Sequence, residues 1–354
     1  MRPSNRFGWL IWGFICALFL FGCGGATKKA DTPPPEADAG QADDRSAAIP
    51  KPKAFAFAWR VEAPAPTDKG LTLLGSIHVG NDNFYPLDPV IEKTYASSEA
   101  LIVEVNLAAV PHKKMVKIVY SKAELPPNQT LESRLSKDTW AKLIAALNQY
   151  NVPVATVYKF KPWFAALTVA MLRIVEAGYS PAMGVDQYFI KRGNKEIIEL
   201  ETADFQLSLF DELSLELQEL LLLDAIEGSL QAGGDLERVL NAWKTGDADA
   251  LRKAMFGGLT AQPEFQPLYE KMIAERNVSM VKRIEALLET KNNLFVVVGA
   301  GHLVGTDGLL AIFEKKGYIV KQLEKQSVSP STDPVEESKS HELPHSSQPS
   351  AEAY

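Results

Sequence analysis

The chain predicts an α/β (mixed α+β) fold, a single domain whose central sheet is built from N- and C-terminal strands around a helical middle. Three observations carry this. Short β-prone runs gather near both ends of the folded span, long helical patterns fill its centre, and both termini have compositions that cannot build a core.

The ends bound the domain. Residues 1–22 combine Arg2 and Arg6 with the apolar run "FGWLIWGFICALFLF" and stop at "LFGC", the order expected of a lipoprotein signal peptide with Cys23 as the lipidated residue. Cys16 leaves with the signal, so one cysteine remains and neither a disulfide nor a thiolate mechanism is expected. Residues 23–53 are rich in Ala, Asp and Pro and form a tether spanning about 30 Å as a flexible coil. Residues 326–354 are a polar tail, which leaves 54–325 as the folded domain. The expected location is the cell envelope, at the outer membrane facing the periplasm, with the membrane reached through the anchor on Cys23. A net charge of -7 and a pI near 5.4 give no reason to expect a nucleic-acid partner.

Within the domain, "FAFAWRVEA" (55–63), "LTLLGSIHV" (71–79) and "ALIVEVN" (100–106) read as strands. Helices follow at "KDTWAKLIAALNQY" (137–150), at "KPWFAALTVAMLRIVEAG" (161–178) with Pro162 in its first turn, and at residues 204–230 as one long helix. "NKEIIELE" (194–201) reads as a strand before that helix. "ERNVSMVKRIEALLET" (275–290) is a helix, "NLFVVVGAG" (293–301) a buried strand, "GLLAIFEKKG" (308–317) a helix and "YIVKQL" (318–323) a closing strand.

Five histidines narrow the search for chemistry. His341 and His345 form "HELPH", a zinc-protease pattern, but Pro344 between them forbids the helix that would bring both imidazoles to one ion. His112 stands alone beside Lys113 and Lys114. His78 and His302 share a setting: each follows an apolar strand through a Gly-x-x-His segment, Gly75 to His78 and Gly299 to His302. A histidine just past the carboxyl end of a strand sits where α/β folds place ligands, and nearby glycines allow close approach. If the two strands are neighbours, both imidazoles converge. Turn histidines satisfied by backbone carbonyls are the plainer alternative, which a matched pair makes less natural.

Two imidazoles call for a carboxylate. Glu104 interrupts an apolar strand, where a lone charge is costly. Asp186 and Glu201 stand near element ends, where either could instead cap a helix. Arg276 and Asn277 are polar neighbours suited to holding a substrate carbonyl or oxyanion, or to a surface helix start.

"GSIHVG", "KPWFAAL", "GVDQYFIKRGNKEIIELET", "ERNVSM" and "VVVGAGHLVGTDGLLAIFEKKGYIVKQL", in this order, resemble the TraB/GumN family, which includes the membrane-tethered Tiki metalloproteases. The resemblance covers residues 55–323 and implies a metal-dependent hydrolase with a peptide or protein substrate. His78, His302 and Glu104 are the implied metal ligands and active-centre residues. In the mechanism expected, His78 and His302 with a carboxylate from Glu104 or Glu201 hold one divalent ion. A free carboxylate takes the proton of bound water, and Arg276 stabilises the oxyanion. Zinc, manganese and cobalt all suit such a donor set. The alternatives are a non-catalytic lipoprotein that binds a peptide, glycan or metal complex, and a metal-independent esterase-like hydrolase with His78 as general base.

Overall fold

The computed structural model describes residues 55–227, 232–257 and 263–325. The signal segment, Cys23, the tether, "HELPH" and the tail lie outside these residues. Strands β1 (Phe55–Glu62), β2 (Gly70–Ser76), β3 (Ala100–Val103), β4 (Glu196–Glu199), β5 (Asn293–Gly299) and β6 (Ile319–Glu324) form one sheet of order β4-β3-β5-β2-β1-β6. The first and last strands of the described residues do share it: β1 pairs antiparallel with both β2 and β6. β4, β3, β5 and β2 run parallel, so their carboxyl ends emerge at one edge. β2 is buried throughout and β5 nearly so, with "FVVV" covered on both faces, as expected of strands central to a parallel sheet.

Helices cover the sheet. In chain order they are α1 (Pro89–Ser97), α2 (His112–Ala123), α3 (Leu131–Arg134), α4 (Lys137–Gln149), α5 (Pro162–Glu176), α6 (Val185–Ile190), α7 (Ala203–Asp211), α8 (Leu215–Glu227), α9 (Ala232–Thr245), α10 (Ala248–Phe256), α11 (Gln266–Tyr269), α12 (Glu275–Thr290), α13 (Ala300–Leu303) and α14 (Leu309–Lys315). α1 starts where Asp88 accepts the Val90 N–H at 3.0 Å and Pro89 supplies a preset first turn. α5 is buried almost all round and packs on α8. No helix among the described residues is long and apolar enough to cross a membrane.

Three expectations need correction. The helix read as continuous over 204–230 is two, α7 and α8, because Ser214 Oγ accepts the Leu217 N–H at 3.3 Å and restarts the second. β2 stops at Ser76 and β3 at Val103, so His78 and Glu104 leave the strands rather than belong to them. α1, α2, α3, α9, α10 and α11 fall where no helix was read, and α13 begins inside the strand read over 293–301.

The helix pair α9 and α10 bears on the site. Trp243 Nε1 donates to the Gly75 carbonyl at 2.6 Å, and its ring stacks on Phe84 at 5.6 Å. Gly246, at φ +75°, takes the left-handed turn between the helices, where a Cβ would meet the Phe55 carbonyl oxygen at 2.5 Å. Asp247 then caps α10 by accepting the Ala250 N–H at 2.8 Å. Trp243 thereby pins this pair to the strand end from which His78 departs.

Candidate active site

Parallel pairing puts the two Gly-x-x-His segments side by side, since Gly75 pairs with Val298 and Ser76 with Gly299. The neighbour condition posed by the sequence is therefore met. β3 flanks β5 on its other side, and Glu104 follows at the same edge. Glu104 Oε1 lies 3.9 Å from His78 Nε2 and 3.8 Å from His302 Nε2. Gly299, whose N–H donates to the same oxygen at 2.5 Å, lies against all three side chains. A Cβ there would stand 2.9 Å from His78 Nε2, 3.2 Å from Glu104 Oε1 and 3.7 Å from His302 Cδ2. The absent side chain is the space in which the donors meet. Gly301 has a different reason: a Cβ would press on Met255 and Phe256 of α10, each at 2.9 Å.

The other oxygen of Glu104 faces a clamp. Arg276 Nη2 donates to Glu104 Oε2 at 2.9 Å and to Glu201 Oε2 at 2.7 Å, while Arg276 Nε reaches Glu201 Oε1 at 2.8 Å. Gln206 Nε2 donates to both carboxylates, at 3.2 and 3.0 Å. Glu201 follows β4, and its N–H bonds the Glu104 carbonyl at 2.8 Å, which locks the two strand ends together. The guanidinium is 2% exposed, and its Nε and Nη2 donors face carboxylates. Arg276 holds Glu104 and Glu201 in this arrangement. The oxyanion role expected of it would need donors that are already directed elsewhere.

An oxygen atom lies behind each imidazole. His78 Nδ1 lies 3.3 Å from Asp186 Oδ1, so Asp186 serves His78 although its position in the first turn of α6 resembled a capping site. Gly184 allows this, because a Cβ there would meet the His78 carbonyl oxygen at 2.7 Å and Asp186 Oδ1 at 2.8 Å. His302 Nδ1 lies 2.6 Å from Asn277 Oδ1. Asn277 and Arg276 open α12 directly after a π-helical turn, Glu270–Ala274, a local widening often found at functional sites. His112 lies on the exposed first turn of α2 and does not join this cluster. Gln206 was quoted with the family motifs without a role. Its signal was its place on α7, four residues after the Thr202 cap, facing the ends of β3 and β4.

Burial pushes His302 down to about 3, with the Arg276 charge adding to that and Glu104 opposing it, so the imidazole is neutral at neutral pH. Burial pushes Glu104 up, but His302, Arg276, His78 and the Gly299 N–H outweigh it and bring the carboxyl down to about 2.

Do these residues fit a divalent ion? Among the described residues no group of three His, Cys, Asp or Glu side chains has the spacing of a formed metal site. The separations of 3.8 and 3.9 Å exceed the roughly 3.4 Å between tetrahedral donors at zinc bond lengths. Donor type, orientation and charge do fit. Two imidazoles turn Nε2 toward one carboxylate oxygen with oxygen acceptors behind each Nδ1, the arrangement usual for ligating histidines. Glu104 and Glu201 share the Arg276 guanidinium and Asp186 lies beside His78, so the site's carboxyl groups outnumber its one guanidinium.

The chain is similar to YbaP of Escherichia coli K12, a protein described as uncharacterized, with 25% identity over 267 residues, 72% of this chain and 91% of the relative. YbaP of Shigella flexneri matches with the same identity and coverage. The metalloprotease TIKI2 of Danio rerio is 37% identical over 70 residues, which is 19% of this chain and 14% of that protein. No solved structure matches. With the family model aligned over residues 57–322, which contain every residue of this cluster, the chain belongs to the TraB/PrgY/gumN family.

Proposed function

We propose that the chain is a hydrolase dependent on a divalent metal ion, acting on a peptide or protein, with His78, His302 and Glu104 as ligands. The observation that carries this is the meeting of two Nε2 atoms and Glu104 Oε1 in the space beside Gly299. Manganese, cobalt or zinc, when bound, would supply Lewis acidity and a hydroxide near neutral pH. The partial similarity to TIKI2 supports the same chemistry. Asp186 and Asn277 orient the imidazoles, Arg276 and Gln206 hold Glu104, and Glu201 keeps Arg276 in place. Glu104 and His302, at about 2 and about 3, bind protons too weakly to act as bases near pH 7. As a ligand His78 uses Nε2 and turns Nδ1 to Asp186 Oδ1, 3.3 Å away, so it could act as a base only where it holds no metal.

That pairing favours the alternative, in which His78 is the general base of a metal-independent hydrolase. Chelation separates the two. On the metal reading, EDTA abolishes hydrolysis of a peptide library and manganese, cobalt or zinc restores it; full activity after EDTA would select the metal-independent enzyme.

Gly299→Ala should be the sharpest probe of the meeting space. The position has φ -51° and ψ 135°, which alanine adopts freely, so the backbone fold is retained at an overpacking cost of about 1–3 kcal/mol. The added methyl displaces His78 and Glu104, and activity falls by about 100-fold or more. A fully active, metal-loaded Gly299→Ala protein would contradict this geometry.

We also propose that the enzyme works as an envelope lipoprotein anchored through Cys23, supported by the signal-like segment before it. Mature protein should begin at Cys23 and carry lipid; a different mature N-terminus would refute it.

A further inference from the structure

Asn277 is fully buried, and its surroundings determine which way its amide faces. Nδ2 lies 2.6 Å from the carbonyl oxygen of Asp307, an atom that can only accept. The amide nitrogen therefore donates there, and Oδ1 is the atom 2.6 Å from His302 Nδ1. A carboxamide oxygen carries no hydrogen, so a contact this short requires the hydrogen on Nδ1. The Asp307 carbonyl is itself held by a tight turn. Gly305 adopts φ +91°, the Gly308 N–H bonds the Gly305 carbonyl at 3.1 Å, and a Cβ on Gly308 would meet the Leu303 carbonyl oxygen at 2.4 Å.

We propose that Asn277 is a positioning residue that fixes His302 as its Nδ1–H tautomer, so that Nε2 presents a lone pair toward Glu104 and the space beside Gly299. The tautomer has a competitor. Glu104 Oε1, 3.8 Å from Nε2, would reward a hydrogen on Nε2, and an imidazole protonated there has no lone pair to offer the site. Asn277 decides that competition through a bond at 2.6 Å against a separation of 3.8 Å. A carboxamide suits this place better than the carboxylate that backs His78. A carboxylate has no hydrogen to give the Asp307 carbonyl, and it would add a negative charge beside Glu104 and Glu201. The two histidines are thus set differently, His78 by a charged acceptor and His302 by a neutral one.

The tautomer is a property of the metal-free chain; only its consequence for metal binding rests on the hydrolase proposed above. The test uses the full chain labelled with nitrogen-15 in histidine, treated with EDTA at neutral pH and read by two-bond proton–nitrogen correlation spectra. The His302 signals are identified by their loss in His302→Gln. Wild type should show a single tautomer with the hydrogen on Nδ1. Asn277→Ala, shown to be folded by its thermal melt, should shift population to the Nε2–H form, and Asn277→Asp, which keeps an acceptor oxygen, should retain Nδ1–H. Manganese affinity should drop 10- to 100-fold in Asn277→Ala, as is usual when a ligand's hydrogen-bond partner is removed. Wild type protonated on Nε2, or an unchanged tautomer in Asn277→Ala, would overturn the inference. A wild-type chain that shows Nδ1–H but binds no manganese, cobalt or zinc upholds it and refutes the hydrolase proposal alone.

Discussion

Replacing Arg276 with methionine should destabilise the metal-free protein by about 3–5 kcal/mol at pH 7, a large share of the 5–15 kcal/mol typical of a folded domain. Two carboxylates with side chains 6% exposed depend on its guanidinium. Methionine fills similar volume but leaves Glu104 and Glu201 as neighbouring buried anions, with Gln206 the shared donor that remains. The penalty should depend on pH. Glu104 is held at about 2 against an ordinary 4.5, so its contribution is present in full above pH 4.5 and is lost as pH falls toward 2. His302 acts in the same direction: the unfolded chain binds a proton below about 6.5 that the native site refuses down to about 3. Wild type should therefore lose stability steadily as pH falls through that window. Arg276 contributes to both shifts, so the variant should be less sensitive to acid and the gap between the two proteins should narrow below pH 4.5. Urea unfolding at pH 7 and pH 4 measures this. An Arg276→Met protein as stable as wild type at pH 7 would mean that the clamp is not needed to hold the carboxylates.

The histidines were legible because sequence records local context. A Gly-x-x-His after a buried strand can be recognised without knowing the sheet, and Glu104 shows as a charge among Leu101, Ile102 and Val103. Which strands adjoin is a long-range fact. β5 lies between β3 and β2 although its first residue, Asn293, comes 190 positions after Val103, and no local pattern states that order. Spacing and the family resemblance pointed to the same His78, His302 and Glu104, with convergence conditional on β2 and β5 being neighbours. Roles were harder to read than membership. Arg276 and Asn277 stood out as a polar pair, yet one clamps two carboxylates from other strands and the other turns to an imidazole 25 residues on. Asp186 looked equally like a cap until Gly184 let it approach His78. The break between α7 and α8 was hidden because leucines continue through residues 213–217, and the signal that ends the pattern is a single serine hydroxyl.

His78→Ala and His302→Ala should each abolish metal binding and hydrolysis while the fold survives, because both Nε2 atoms face one oxygen of Glu104. Two unrelated turn histidines would instead give independent losses of about 1 kcal/mol each in stability, with activity retained. Ligands of one ion act as a unit, so the double variant should be little worse than either single one. His112→Ala is the control, since it changes the same residue type on an exposed turn of α2. The most direct measurement is elemental analysis of the purified chain and these variants after loading with manganese, cobalt or zinc. The expected result is one ion per chain in wild type and His112→Ala, and none in His78→Ala or His302→Ala. Stoichiometric metal in either site variant would contradict a centre shared by the two histidines.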